Sequence, residues 1–356
     1  MAPKNLQLVA IIAAVIIAGV LVLSTINANH YAMNQPTTTP IHNGSVNQTT
    51  VPTTSTQSAP ASTIAQTALT TIVTNTVTYA TEASDSPYFD TMYVSDHFKV
   101  YFRLADQGMA NVLIQTLEHA YPIDSRIYGG DLPSKTDLYM FHTFYDAKGL
   151  MPMSSTASPN SSGGGWSVDP PLGDGIKIYN TLPHGDPNNL SNVENIDWYR
   201  GGMAHELGHR FFYYLYPNIR APVRPNWLDE GIAMYDWAEA GGDIEYGFGV
   251  ARENISINGP VLLNSLDKLQ ESSNTIELFY GEASTVIDYM VSRAGERGLR
   301  EFLDTYNQTK NLNSSFVKAF GVNETVFETQ YDNCTKKISL EASNGSGFYY
   351  LLKKGC

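Results

Sequence analysis

The five residues from His205 to His209 constrain this chain more than any other stretch of its sequence. They read H-E-L-G-H, an instance of the H-E-x-x-H pattern of zinc proteins. On a helix, residues four apart lie on one face with their Cβ atoms about 5–6 Å apart, so two imidazoles at this spacing can bind one ion. The pattern therefore requires a helix, and it places Glu206 where a carboxylate can take a proton from a metal-bound water.

A long helix is predicted around this pattern, from about Val193 to Tyr216, with Asn192 as its N-cap and Pro217 beyond its end. Apolar side chains at three- and four-residue steps give it a core-facing stripe: Met203, Leu207, Phe211 and Tyr214. His205 and His209 fall on a neighbouring face. Three glycines near the histidines predict a close backbone approach, by a strand, a loop or a ligand: Gly201, Gly202 and Gly208.

A third metal ligand is predicted about twenty residues further on, where residues 226–233 read N-W-L-D-E-G-I-A. A second helix is expected to begin here, with Asn226 as its N-cap after Pro225. Asp229 would lie in the first turn, where a carboxylate satisfies free backbone N–H groups. Glu230 has no such role and is the predicted ligand. Two histidines, one glutamate and an open fourth position are typical of catalytic rather than structural zinc.

Taken together, H-E-x-x-H followed by W-L-x-E-G-x-A resembles the gluzincins, the thermolysin- and aminopeptidase-like metallopeptidases, and especially their minimal peptidase MA-like branch. The segment L-F-Y-G-E-A-S from Leu278 is similar to the family's tyrosine-bearing helix, and the resemblance covers roughly residues 95–335. It implies that His205, His209 and Glu230 hold Zn²⁺ and that Glu206 is the general base. It also implies that Tyr280 stabilises the oxyanion, although Tyr280 could equally be one more packed aromatic side chain.

The resemblance further implies an edge strand along the catalytic cleft, just before the zinc helix. The segment from Trp166 to Tyr179 could be that strand or a hairpin, and substrate backbone could pair with it. The alternative is a surface loop, and the sequence leaves the two open.

The N-terminal part of the chain differs in composition from the rest. Leu6 to Leu23 is almost entirely apolar, Lys4 precedes it, and no further charged residue occurs before Glu82. Residues 1–29 are therefore predicted to be a transmembrane anchor that leaves the catalytic domain outside the cell membrane, with a cleaved signal segment and secretion as the alternative. Residues 30–79, rich in Ser, Thr and Pro, are predicted to be a disordered stalk.

Sequons and cysteines agree with an extracytoplasmic glycoprotein. Cys334 and Cys356 lack metal-ligand spacing and could form one disulfide in an oxidising compartment, or remain free thiols. N-x-[ST] sequons occur at Asn43, Asn47, Asn160, Asn189, Asn254, Asn307, Asn313, Asn323, Asn333 and Asn344.

The fold class follows from the pattern of residues 80–356, which form the predicted peptidase domain, with the sheet and zinc site in 80–240 and a helical region in 241–356. Strands are predicted at His97 to Leu104, Thr136 to Tyr145 and Ile176 to Tyr179, with a helix from Gly108 to Tyr128. A small mixed sheet with a zinc-binding helix, followed by helices, is an α+β, zincin-like arrangement.

The predicted function is a zinc-dependent peptidase acting on a peptide or protein substrate. Endopeptidase action is favoured because the aminopeptidase pattern G-x-M-x-N does not occur. Two rivals remain: a catalytically silent, zinc-stabilised binding module, and a zinc hydrolase of a non-peptide amide. With 22 basic and 35 acidic residues, a net charge of −13 and no basic stripe, nucleic acid is not an expected partner. The oligomeric state is open.

Overall fold

The computed structural model describes residues 80–83, 86–147, 165–167, 175–179, 193–219, 224–271 and 275–356. All of these residues lie within one compact unit, Val73–Cys356. The predicted N-terminal segment, the predicted stalk and the predicted N-cap Asn192 lie outside the described residues. The boundaries drawn between them from the sequence therefore stay predictions.

The predicted location in the cell membrane is corrected by the structure. Among the described residues, no helix combines the length and the apolar character needed to cross a membrane. This contradicts the single-pass location expected from the sequence, and that expectation is wrong for the described part of the chain. The apolar run from Leu6 to Leu23, on which it depended, lies outside that part.

One mixed sheet contains the six strands of the described residues, in the order β1-β2-β3-β4-β6-β5. The strands β3, β4 and β6 are parallel to one another, and every other neighbouring pair is antiparallel. The three predicted strands are confirmed as β3, β4 and β6, although β3 and β4 end earlier than expected. The strand bounds are β1 Ala80–Ala83, β2 Thr91–Val94, β3 Phe98–Phe102, β4 Thr136–Phe141, β5 Gly165–Ser167 and β6 Ile176–Tyr179.

Helices make up most of the remaining described residues, and the predicted α+β class is confirmed. Two short 3₁₀ helices occupy Leu104–Asp106 and Asp267–Glu271. The α-helix bounds are α1 Gln107–Tyr128, α2 Phe144–Ala147, α3 Val193–Leu215, α4 Asn226–Glu239, α5 Ile244–Asn258, α6 Leu263–Leu266, α7 Ile276–Thr309, α8 Leu312–Phe320, α9 Glu324–Glu341 and α10 Gly345–Lys354.

The core lies between one face of the sheet and the helices that cover it. Side chains alternate along β3, so that Phe98, Val100 and Phe102 are fully buried on one face. They belong to the same apolar cluster as Leu113 and Leu117 of α1, which packs against this strand. Burial of this apolar surface fixes the sheet against α1 and gives the helices behind it a rigid support.

Helix α3, which carries the H-E-L-G-H residues, packs against α1 and α4, and α4 packs in turn against α7. Close contacts are found at Gly201 and Gly208 of α3, but side chains of the helix α4 make them, where a backbone approach by a strand, a loop or a ligand was predicted. A Cβ atom added at Gly201 would lie 2.3 Å from Trp237, and one added at Gly208 would lie 2.0 Å from Asp236 Oδ2. The edge strand β5 contacts α3 from the side of the sheet.

The chain after α4 is a helical region closed by one disulfide, and Cys334 in α9 bonds Cys356 with a Cα–Cα distance of 5.7 Å. This is the pairing expected from the sequence. The predicted glycan sites remain predictions.

Candidate metal centre

Helix α3 brings the imidazoles of His205 and His209 together, one turn apart on the same face. Their Nε2 atoms lie 3.1 Å apart, and their ring planes are nearly perpendicular, at 89°. His209 is buried, and so is Glu206, which follows His205 directly in the helix. The geometry expected from H-E-x-x-H is therefore present, with both nitrogens facing a common point.

Helix α4 supplies the third group. Oε2 of Glu230 lies 3.3 Å from Nε2 of His205 and 3.4 Å from Nε2 of His209. Within the described residues, these three side chains are the one group of three or more His, Cys, Asp or Glu residues whose ligand atoms all lie within 4.8 Å of one another. The structure thus brings together the three residues predicted as ligands.

The donor set fits a zinc ion. Two imidazole nitrogens and one carboxylate oxygen suit tetrahedral Zn²⁺ and leave a fourth position for water or substrate. Nδ1 of His209 lies 2.8 Å from Oδ1 of Asp229, so that ring donates from Nδ1 and turns the lone pair of Nε2 towards the metal position. A cation there would satisfy three acceptor atoms that otherwise face one another.

Burial and charge act in opposite directions on two of these groups. Burial lowers the pKa of His209, but the carboxylates of Asp229 and Glu230 outweigh it and hold that pKa well above its usual range. Burial raises the pKa of Glu230, but His209 and His205 outweigh it and hold that pKa well below its usual range. Both shifts have the same cause, which is the close approach of the imidazoles and carboxylates at this position.

Asp229 has a different role from the one the sequence suggested. The first N–H groups of α4, those of Asn226 and Trp227, donate to the carboxylate of Asp267, at 3.1 and 2.8 Å. Pro225, and not Asn226, occupies the N-cap position. The prediction that Asp229 serves mainly the helix end is therefore wrong, since its carboxylate is directed at His209.

Two further residues near His209 were not singled out from the sequence. The hydroxyl of Tyr213 donates to Oδ2 of Asp229 at 3.3 Å, and Nη1 of Arg224 lies 3.1 Å from the same oxygen. The available signal for Tyr213 was its position four residues after His209, on the same face of α3. Arg224 had no local signal, because it precedes α4 in a stretch without periodicity.

Tyr280 lies on α7, close to His205. Its ring is half-buried, and the ring centroid is 6.1 Å from that of His205, with the planes at 78°. The tyrosine that the resemblance singled out is therefore next to the ligands, whereas Tyr289, nine residues later, is buried in the core.

The segment predicted to be an edge strand or a hairpin contains two antiparallel strands, β5 and β6, with Gly165 opposite Ile178 and Ser167 opposite Ile176. Strand β5 is the last strand of the sheet order and contacts α3. An edge strand therefore lies against α3.

Comparison with known proteins agrees with this site. Residues 190–337 match the family model described as the Peptidase MA superfamily, a match that contains every predicted ligand, Glu206 and Tyr280. No curated protein and no solved structure matches the chain. The family match confirms the resemblance drawn from the motifs and is consistent with a gluzincin-like metallopeptidase. It supports a peptidase of a typically metal-dependent kind.

Proposed function

We propose that this protein is a zinc-dependent metallopeptidase that hydrolyses internal peptide bonds. The observation that carries the proposal is the convergence of His205 Nε2, His209 Nε2 and Glu230 Oε2 within 3.4 Å of one another, beside Glu206. Two neutral donors and one carboxylate leave an open position, as catalytic zinc requires. The family match over residues 190–337 supports the same class of enzyme.

His205, His209 and Glu230 would hold Zn²⁺. When bound, the ion supplies a Lewis acid that polarises the scissile carbonyl and lowers the pKa of water. Glu206 accepts the proton of the attacking water and passes it to the nitrogen of the leaving amine. The hydroxyl of Tyr280 donates a hydrogen bond to the oxygen of the tetrahedral intermediate, a contact that is typically worth roughly 3–4 kcal/mol of barrier.

The substrate is proposed to be an extended segment of a peptide or protein. Strand β5 is the edge strand of the sheet and contacts α3, so the backbone groups on its outer edge are in a position to pair with such a segment. Pairing of this kind holds the chain on both sides of the scissile bond and needs no free terminus. Together with the missing G-x-M-x-N pattern, this favours endopeptidase action.

The test is metal content and peptide hydrolysis by the purified full chain, measured beside Glu206→Gln. The variant keeps the shape of the side chain but cannot accept a proton. We expect one zinc per chain in both proteins and a loss of chelator-sensitive cleavage of at least about 10²-fold in the variant. Glu253→Gln, on the exposed surface of α5, is the matched control and should cleave normally.

Each other outcome excludes part of the proposal. Normal turnover by Glu206→Gln would rule out Glu206 as the general base. Zinc without peptide cleavage in any protein would favour a silent binding module or a hydrolase of a non-peptide amide, and a substrate screen would separate those two. Absence of zinc from the wild-type chain would remove the metal centre altogether.

A further inference from the structure

The side chains of Tyr213, Arg224 and Asp229 form a layered cluster with His209, the imidazole whose Nε2 faces the metal position. The ring of Tyr213 lies parallel to that of His209, at 14° with the centroids 5.8 Å apart. The guanidinium of Arg224 lies over the same tyrosine ring, 5.0 Å from its centroid. Tyr213 is thus stacked against the imidazole and contacted by the guanidinium, and Asp229 contacts all three.

Asp229 closes the cluster through both of its oxygens. Oδ1 accepts from His209 Nδ1 at 2.8 Å, while Oδ2 accepts from the hydroxyl of Tyr213 at 3.3 Å and pairs with Arg224 at 3.1 Å. Only 3 % of Asp229 is exposed. A carboxylate so deeply buried must be paired and hydrogen-bonded, because burial of an unpaired charge is strongly unfavourable. Tyr213 and Arg224 supply those partners on one oxygen, which leaves the other for His209.

The cluster also connects the two helices that carry the ligands. Tyr213 belongs to α3, one turn after His209, and Asp229 belongs to α4, directly before Glu230. A bond between them therefore fixes the second and third ligands relative to each other. Residues that orient a ligand imidazole through its second nitrogen typically change metal affinity by about 10–100-fold when they are removed.

We propose that Tyr213 and Arg224 are positioning residues of the metal centre, which hold Asp229 against His209 and so keep this imidazole in its metal-binding orientation. This rests on the proposed function only in that His209 is a zinc ligand. The proposal assigns neither residue a contact with substrate. Both act through Asp229, and loss of either is therefore expected to weaken zinc binding before it changes the chemistry.

The variants separate charge, stacking and hydrogen bonding. Arg224→Met removes the guanidinium but keeps an unbranched side chain, and Arg224→Lys keeps the charge without the planar group that stacks and pairs in a fixed geometry. Tyr213→Phe keeps the stacked ring and removes the hydroxyl. Arg293→Met and Tyr289→Phe are matched controls, because Arg293 lies 5.8 Å from the centroid of Tyr289 and donates to its hydroxyl at 3.1 Å, outside the metal cluster.

The measurement is the zinc dissociation constant of the full chain, by competition with a chromogenic chelator, together with the Co²⁺ absorption spectrum and the urea midpoint of the metal-free protein. We expect zinc affinity to fall about 10-fold or more in Arg224→Met, and less in Arg224→Lys and Tyr213→Phe. The controls should bind zinc as the wild type does. If Arg224→Met does not fold, Arg224→Lys and Tyr213→Phe carry the test.

A second comparison examines whether Arg224 acts through Asp229. In an Asp229→Ala background, Arg224→Met should cost no further zinc affinity, because the bond that it supports is already absent. An additional 10-fold loss there would refute the proposal. So would unchanged zinc affinity in the Arg224 and Tyr213 variants, or an equal loss in the Arg293 control, which would indicate a general effect on stability.

The result is independent of hydrolysis. Wild-type zinc binding that falls in the Arg224 variants supports the positioning role even if no peptide is cleaved. Peptide cleavage and zinc binding that both survive Arg224→Met would overturn the positioning role and leave the proposed function intact. A wild-type chain without zinc would overturn both.

Discussion

Two glycines at one helix contact should respond in opposite ways to the same substitution. Gly247 on α5 and Gly281 on α7 face each other where these helices pack, and both are buried. A Cβ atom added at Gly281 would lie 2.2 Å from the backbone oxygen of Gly247 and 3.1 Å from Cβ of Ala251. One added at Gly247 would meet nothing closer than 3.4 Å, an ordinary contact distance.

The magnitude follows from two opposing terms. Alanine is the better helix former by about 0.8–1 kcal/mol, and this gain is available at both positions. At Gly281 the obstacle is backbone, which cannot rotate away, so the helices must separate by about 1 Å at an overpacking cost near the upper end of roughly 1–3 kcal/mol. We therefore expect Gly281→Ala to lose about 2 kcal/mol of unfolding free energy and Gly247→Ala to gain up to about 1 kcal/mol.

Urea unfolding of the two variants and the wild type, monitored by circular dichroism, measures both effects, since the midpoint shift multiplied by the slope gives the change in free energy. The comparison matters for the site because Tyr280 directly precedes Gly281. A shift of α7 away from α5 should therefore also change catalysis in Gly281→Ala. Equal midpoints for the two variants, or a stabilised Gly281→Ala, would refute the contact geometry on which this reasoning depends.

Two further predictions concern the helical region. Cys334→Ser removes the disulfide, which spans a sequence separation of 22, and should lower the unfolding free energy by about 3 kcal/mol; thermal unfolding with and without reductant checks this, and reductant should leave the variant unchanged. Burial raises the pKa of Glu282 from 4.5 to about 8, although the hydrogen bonds that Asn254 and the backbone N–H of Val261 donate to its carboxylate act to lower it. Between pH 4.5 and about 8 the folded state therefore retains a proton that the unfolded chain loses, so the contribution of Glu282 to the unfolding free energy falls as the pH rises through this range. The urea midpoint of Glu282→Gln minus that of the wild type should thus increase from about pH 5 to about pH 9. A difference that does not change with pH would contradict the raised pKa of Glu282.

Helix α3 and the convergence of the candidate ligands could be predicted because the relevant information is local. The apolar stripe and the spacing of His205 and His209 together require one helix over one stretch, and α3 ends within one residue of the expected position. Strands β1 and β2 read A-T-E-A and T-M-Y-V, and neither shows the clear apolar and polar alternation of β6, I-K-I-Y, which has the same length and was predicted. They form because the edge of β3 offers unpaired backbone groups, and that is a property of the assembled sheet.

Asp229 shows where local rules fail at the site itself. A carboxylate in the first turn of a helix is sufficiently explained by the free N–H groups there, and nothing in the neighbouring sequence argues otherwise. The competing carboxylate, Asp267, lies about forty residues away, and only the tertiary fold brings it to the end of α4. The need of His209 for a hydrogen-bond acceptor at its second ring nitrogen could have been predicted, because a metal-bound imidazole donates its other N–H to such an acceptor. Asp229 directly precedes Glu230 in the chain, so the turn of α4 that supplies the third candidate ligand also supplies this acceptor, and one short segment of the helix both completes and orients the candidate metal site.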